Sequence, residues 1–166
     1  MQVAFYKIIV YFHNMLKSIT KFLVQNYFRL KRPMTLGVRI VAINAENKVC
    51  LVKHTYTPGW HLPGGGVEKG ETALYAAMKE AREEAGLVIA PENLNLVSIH
   101  ANFANFKGDH VLVYHTNVWE SEPTNRAHEI AECGFFAIND LPTDTTKGTL
   151  CRIKEALGQQ SISPDW

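Results

Sequence analysis

The chain has 166 residues, 46% of them hydrophobic, which is enough for one well-buried α/β domain and too few for two of typical size. Its three cysteines, Cys50, Cys133 and Cys151, lie far apart without C-x-x-C spacing, which argues against a disulfide framework or a zinc site and fits small buried side chains in a reducing cytoplasm. The net charge of +1 hides an asymmetry: residues 1–45 carry seven bases and no acid, leaving 10 bases against 16 acids (net −6) in the remainder, and an acidic body argues against nucleic acid as the main partner.

The basic head comes first. Phe5, Ile8, Ile9, Phe12, Leu16, Ile19, Phe22, Leu23, Tyr27 and Leu30 recur at helical spacing, with Lys7, Lys17, Lys21 and Arg29 mostly on the other side. Residues 1–33 are therefore expected to form one amphipathic helix ended by Pro33. Its longest charge-free run, Ile8–Leu16, is nine residues, against roughly 20 needed to cross a bilayer. Lys7 interrupts the apolar stretch and no small-residue cleavage site follows, a poor fit to a signal peptide. The apolar face has three open readings: packing on its own domain or on a second copy in a homodimer, which is the default; peripheral contact of residues 1–32 with an anionic membrane; or a targeting sequence.

Residues 34–160 read as the second unit. Leu36–Ile43 and Lys48–His54 are β-rich runs separated by the turn-forming Asn44–Asn47, which predicts an antiparallel pair. Between Gly65 and Leu87 a glycine-rich turn runs into a helix that ends at Gly86, and Pro91 prevents its continuation. Strands are expected at Leu94–His100, on either side of Lys107–Asp109 with the long run Val111–Trp119, and at Cys133–Ile138 after a turn-rich loop Glu120–His128. Thr145–Leu157 has the spacing of a terminal helix, so helices flank a mixed sheet.

The helix after the glycine turn opposes its own stability. Glu80 and Glu84 are like charges at i, i+4, and Glu80, Glu83 and Glu84 all sit toward the C-terminus, where the macrodipole disfavours anions. The three span one arc beside an apolar stripe of Leu74, Ala77, Met78, Ala81 and Ala85. Three carboxylates next to a turn with bare carbonyls suit a hard divalent cation, Mg2+ or Mn2+. A solvated acidic face is the plain alternative, and the glycine turn upstream favours the metal. Gly65 and Gly70 have the spacing of a phosphate-binding loop, but Glu71 and Thr72 follow where such a loop carries Lys and Ser or Thr, so a polyphosphate here is approached through a bridging cation.

These residues resemble the Nudix family, whose box reads G-x5-E-x7-R-E-U-x-E-E-x-G-U with U aliphatic. Gly65, Glu71, Glu80, Glu83, Glu84, Gly86 and Leu87 fall on their places, Ala81 takes the first aliphatic position, and Lys79 replaces the arginine. The preceding Trp60–Gly64 looks like the strand end and turn that lead into the box. The resemblance implies an α/β class fold, the α/β/α sandwich with a mixed sheet from Thr35 to Leu157, and says nothing of the N-terminal helix.

It further implies metal-dependent hydrolysis of a phosphoanhydride bond in a nucleoside diphosphate linked to another moiety. Glu83 and Glu84 are then metal ligands, the carbonyl of Gly64 completes the site, Glu80 either binds metal or orients the water, and Glu71 supports the helix start. The family's base sometimes comes from a loop outside the box, where Glu129 and Glu132 are the candidates and Glu129 is preferred; His128 beside it reads as incidental. Lysine does not replace arginine's planar contact to a carboxylate, so Lys79 is expected to tune the rate. A non-catalytic nucleotide-binding or regulatory module is the alternative that Lys79 motivates. Subgroup marks are missing: Asn102 stands where ADP-ribose hydrolases carry proline, no tyrosine occupies the diadenosine polyphosphate hydrolase position near Phe103–Asn105, and the NADH hydrolase array SQPWPFPxS is absent. Elimination leaves a nucleoside triphosphate or a nucleotide sugar. Phe103, Phe106 and Tyr56 are read either as base-stacking groups or as core.

Overall fold

The computed structural model describes residues 2–31, 33–124 and 128–166. The chain divides into two compact units, residues 1–34 and 35–166. The first is a single 30-residue helix, α1 (Gln2–Lys31). Among the described residues no helix is long and apolar enough to cross a membrane.

In the second unit, β1 (Thr35–Ala42) pairs in parallel with β6 (Asp109–Thr116), which pairs antiparallel with β5 (Asn95–Ala101). A second sheet places β2 (Lys48–His54) between the short β3 (Trp60–His61) and β8 (Ile130–Ala137), all antiparallel. The two-residue strands β4 (Leu87–Val88) and β7 (Glu120–Ser121) form a separate ribbon, with β7 inside the segment expected as loop. Helices α2 (Ala73–Ala85) and α3 (Lys147–Ala156) complete the unit.

Strand alternation assigns each helix its own core. Val38, Ile40 and Ala42 of β1, Cys50 of β2 and Leu112 and Tyr114 of β6 pack with Ala76, Ala77 and Ala81 of α2. Their neighbours Val41, Val49, Leu51 and Val113 pack with Trp60, Leu62 and Ile153 of α3. Burying both faces explains why β1 and β2 read as near-continuous apolar runs, and the result is a mixed α/β/α sandwich.

The antiparallel pairing expected between the first two strands does not form. β1 and β2 lie in different sheets and touch through one bridge, Ile43 to Val49, beside the turn in which the Asn44 side chain accepts from the amides of Glu46 and Lys48. The cause is competition for one edge. The amides of Val38 and Ile40 donate to the carbonyls of Gly65 and Pro63, and Val67 donates to Leu36, so the turn before α2 takes the edge β2 would have used. Nor is there a strand before Lys107: Asn102 accepts from the amides of Asn105 and Phe106 and its side chain donates to Asp109, which closes a loop with Phe103 and Phe106 exposed. β6 stops at Thr116, short of Trp119, because the Thr116 hydroxyl bonds both the amide and the carbonyl of Val118.

Candidate active site

Helix α2 begins where Thr72, in extended conformation, accepts from the amide of Tyr75, and ends where Gly86 turns into the left-handed region at φ 67°. Its acids hang over the turn that β1 has captured. Gly64 has φ 143°, and a Cβ there would lie 2.1 Å from the Val38 carbonyl oxygen; a Cβ on Gly65 would lie 2.7 Å from the Glu80 carboxylate. Only glycine lets this turn pass between β1 and the acids. Pro63 and Gly65 give their carbonyls to β1, while the Gly64 amide donates to Glu84 Oε2 at 2.8 Å.

The three helix acids are not equivalent. Glu84 is 6% exposed, Glu80 is half-buried and Glu83 is exposed. Burial pushes the Glu84 carboxyl up to about 7, with Glu80 and Glu129 adding to it and the Gly64 amide and Arg39 opposing it. Glu80 is also raised, mainly by burial and partly by Glu83 and Glu129, against the pull of Lys79 and Arg39. Lys79 reaches back along the helix, 2.9 Å from Glu71, 3.6 Å from Glu68 and 4.0 Å from Glu80. Its hydrogen bond pulls the Glu71 carboxyl below the usual range, and Glu71 in turn accepts from the Glu68 amide. The lysine at the box arginine's position thus has carboxylate partners.

Glu68, Lys79, Glu80, Glu83 and Glu84 line one cleft of about 580 Å³ with Gly64, Gly65, Arg39, His54, Tyr56 and Glu129. Of the two loop acids singled out as bases, the fold brings Glu129 to this cleft, its carbonyl tied to the Thr55 amide. Glu132 instead lies 3.7 Å from Lys53 on β8, and His128 is exposed with its carbonyl held by the Thr55 hydroxyl.

Sequence reasoning passed over Arg39 and His54. Burial lowers the Arg39 guanidinium from its ordinary value, and Glu84 and Glu80 oppose that shift. His54 Nδ1 lies 3.8 Å from Glu84 Oε1 and has no hydrogen-bond partner, while burial and Arg39 push the imidazole down, toward its neutral form. Both sit in ordinary strand alternation, so no local signal marks them.

Hard carboxylate oxygens whose ionisation is suppressed by burial and by one another are a donor set that fits Mg2+ or Mn2+. Among the described residues no three His, Cys, Asp or Glu side chains yet converge on one point. Shared ligation by Glu80, Glu83 and Glu84 therefore requires side-chain rotation on the fixed helix.

An ADP-ribose pyrophosphatase of Methanocaldococcus jannaschii is 32% identical over 105 residues, 60% of each chain. An RNA pyrophosphohydrolase of Pelagibacter ubique is 39% identical over 61 residues, 36% of this chain and 39% of that protein. The crystal structure of a MutT NUDIX hydrolase from Burkholderia pseudomallei matches with a TM-score of 0.63 at 25% identity, over 73% of this chain and 96% of that one. The chain spans 39% to 60% of the length of these two curated relatives. A sequence model of the family described as NUDIX domain matches residues 33–153, and the chain belongs to that family.

Proposed function

We propose that this chain hydrolyses a phosphoanhydride bond in a nucleoside diphosphate linked to another moiety, a nucleoside triphosphate or a nucleotide sugar, with Mg2+ or Mn2+ held by Glu80, Glu83, Glu84 and the Gly64 carbonyl. The reading rests on one observation: four carboxylates, Glu80, Glu83, Glu84 and Glu129, line a single cleft, and the most buried of them has its pKa raised to about 7. Members of the family generally use such ions, and the relatives named above are named for pyrophosphate chemistry.

Held by these residues, a divalent ion would neutralise charge on the phosphate oxygens and acidify a water. The chain's own groups do the rest. Glu80 binds the ion or orients the water, and Glu129 accepts the proton as the water oxygen bonds to phosphorus and the bridging P–O bond breaks. Arg39 offers a guanidinium to the phosphate oxygens, a role that suits its planar donors. Lys79 keeps the charge of Glu71 and Glu68 from adding to that of Glu80.

A panel of nucleoside triphosphates and nucleotide sugars, assayed with Mg2+, with Mn2+ and with chelator, tests this. Turnover abolished by chelator and restored by metal is expected. A nucleotide bound tightly and returned intact with either metal would contradict the reading and leave a binding module.

A further inference from the structure

The cleft does not end at the acids. Arg39, Thr57, His61, Asn102 and Val111 also line a second lobe of about 770 Å³, whose far wall includes Asn105, Lys147, Gly148, Gln160 and Trp166. That wall is built by a segment the sequence does not single out. Residues Ser163–Trp166 run as a strap beside the end of β5: the Ala101 amide donates to Pro164 O at 2.8 Å, and the Trp166 amide donates to Ala101 O at 3.0 Å.

A buried charged network fixes the strap. Glu155 Oε1 accepts from the Ser163 amide at 2.9 Å and from Arg152 Nη2 at 2.8 Å, while Arg152 Nη1 donates to Asp165 O at 3.2 Å. His100 Nδ1 lies 2.7 Å from Ser163 O. Arg152 is 2% exposed and His100 fully buried, and a buried ion pair is a poor way to gain stability when apolar residues of the same volume serve as well. What the network does accomplish is position. The Arg152 guanidinium lies over the Trp166 ring, 5.3 Å from its centroid, and the His100 ring stands edge-to-face with the indole at 6.0 Å between centroids. Gly148 leaves room for the indole, since a Cβ there would lie 2.4 Å from Trp166 Nε1.

We propose that the second lobe takes the nucleobase of the substrate, stacked on the Trp166 indole, with its phosphates in the acidic lobe; the second clause rests on the hydrolase reading above. A base is flat and aromatic with donors and acceptors around its edge. The lobe offers an indole held in place and the side-chain amides of Asn105 and Gln160, whose nitrogens bond Asn102 Oδ1 and Glu155 Oε1 within the chain and whose oxygens face a base as acceptors. The aromatics suggested by the sequence do not supply this platform: Phe103 and Phe106 line neither lobe, and Tyr56 lines only the acidic one. Trp166 is therefore a specificity-determining residue of this site.

The test uses the full chain labelled with 15N, which has three indole N–H resonances, from Trp60, Trp119 and Trp166. Trp166→Phe assigns the third. Adenosine, guanosine, cytidine and uridine are titrated in turn, with ribose as the baseless control; none carries phosphate, so the outcome is independent of metal and of the acidic lobe. At least one nucleoside is expected to move the Trp166 resonance and leave Trp60 and Trp119 in place, and ribose to move none. No shift with any nucleoside, or an equal shift with ribose, overturns the proposal. In turnover, Trp166→Ala and Gly148→Ala should raise KM by ~10-fold or more, as loss of one stacked base does, with kcat nearly unchanged; unchanged KM in both also overturns it. If either variant fails to fold, the titration of the unsubstituted chain decides. If that chain turns over no nucleotide with metal, the hydrolase reading falls, and the nucleoside titration still decides the lobe.

Discussion

The backbone amide of Gly64 donates to Glu84 Oε2 at 2.8 Å, so the turn before α2 and the end of that helix share one buried hydrogen bond. Burial outweighs it, and the Glu84 carboxyl sits at about 7 against an ordinary 4.5. A folded pKa above the unfolded one means that ionised Glu84 costs stability, fully above pH 7 and progressively less as pH falls toward 4.5. Glu84→Gln keeps an acceptor for Gly64 and removes the charge. In chelator at pH 8 it should be more stable than the unsubstituted chain by on the order of 1–3 kcal/mol, with the gain gone near pH 4.5. Its rate with metal should fall at least ~100-fold. Urea melts at the two pH values and initial rates check this, and a variant less stable at pH 8 would refute it.

Lys79 Nζ lies 2.9 Å from Glu71 and 4.0 Å from Glu80, and we propose that its charge serves where the box has arginine. Lys79→Arg should leave kcat/KM equal or improved, whereas Lys79→Ala should lower it several-fold and raise the pH at which activity appears, because Glu80 loses the charge that favours its ionised form. A clear loss in Lys79→Arg would show that the lysine has a contact this account lacks.

His100 is buried among Ser98 of β5, Arg152 and Glu155 of α3, and the strap, and burial together with Arg152 pushes its imidazole below the ordinary 6.5. The unfolded chain therefore takes up the proton first, so the stability this site contributes is present above pH 6.5 and lost as pH falls below it. The stability difference between the unsubstituted chain and His100→Gln should shrink from pH 7.5 to pH 5, read from paired urea melts; comparing the two cancels the opposite trend from Glu84. A difference independent of pH would contradict the assignment.

For α1, whose Leu16, Ile19, Phe22, Leu23 and Tyr27 are exposed, we propose that the apolar stripe buries on protein rather than on a membrane. The full chain should then stay in the supernatant with anionic phosphatidylserine vesicles at low salt. Co-sedimentation that high salt reverses would instead show peripheral membrane contact through the lysines.

The box was legible because its chemistry is local. The 3.6-residue stripe of α2, its C-terminal Gly86 and the acids at i, i+3 and i+4 all lie within one continuous stretch. What escaped depended on distant chain. The partner of β1 is 74 residues away, at Thr35 to Asp109, and its other edge was decided by the turn at Pro63–Val67, so a short connection to β2 misled. Arg39 and His54 occupy unremarkable strand positions, and only the fold brings them to the cleft that Glu80, Glu83 and Glu84 line. The strap Ser163–Trp166 has no periodicity at all, and its place depends on Arg152, Glu155 and His100 meeting it from two other elements.

Whether water adds across a phosphoanhydride bond at the box acids is tested most directly by isotope transfer. The chain is incubated with Mg2+ and the best-turned-over nucleotide in 18O-labelled water, and the products are weighed by mass spectrometry. One labelled oxygen per cleaved bond is expected on one phosphate-bearing product, with no label transferred in chelator and transfer by Glu84→Gln slowed at least ~100-fold. Nucleotide bound but recovered intact and unlabelled with Mg2+ and with Mn2+, or label transfer unchanged in Glu84→Gln, would contradict the account.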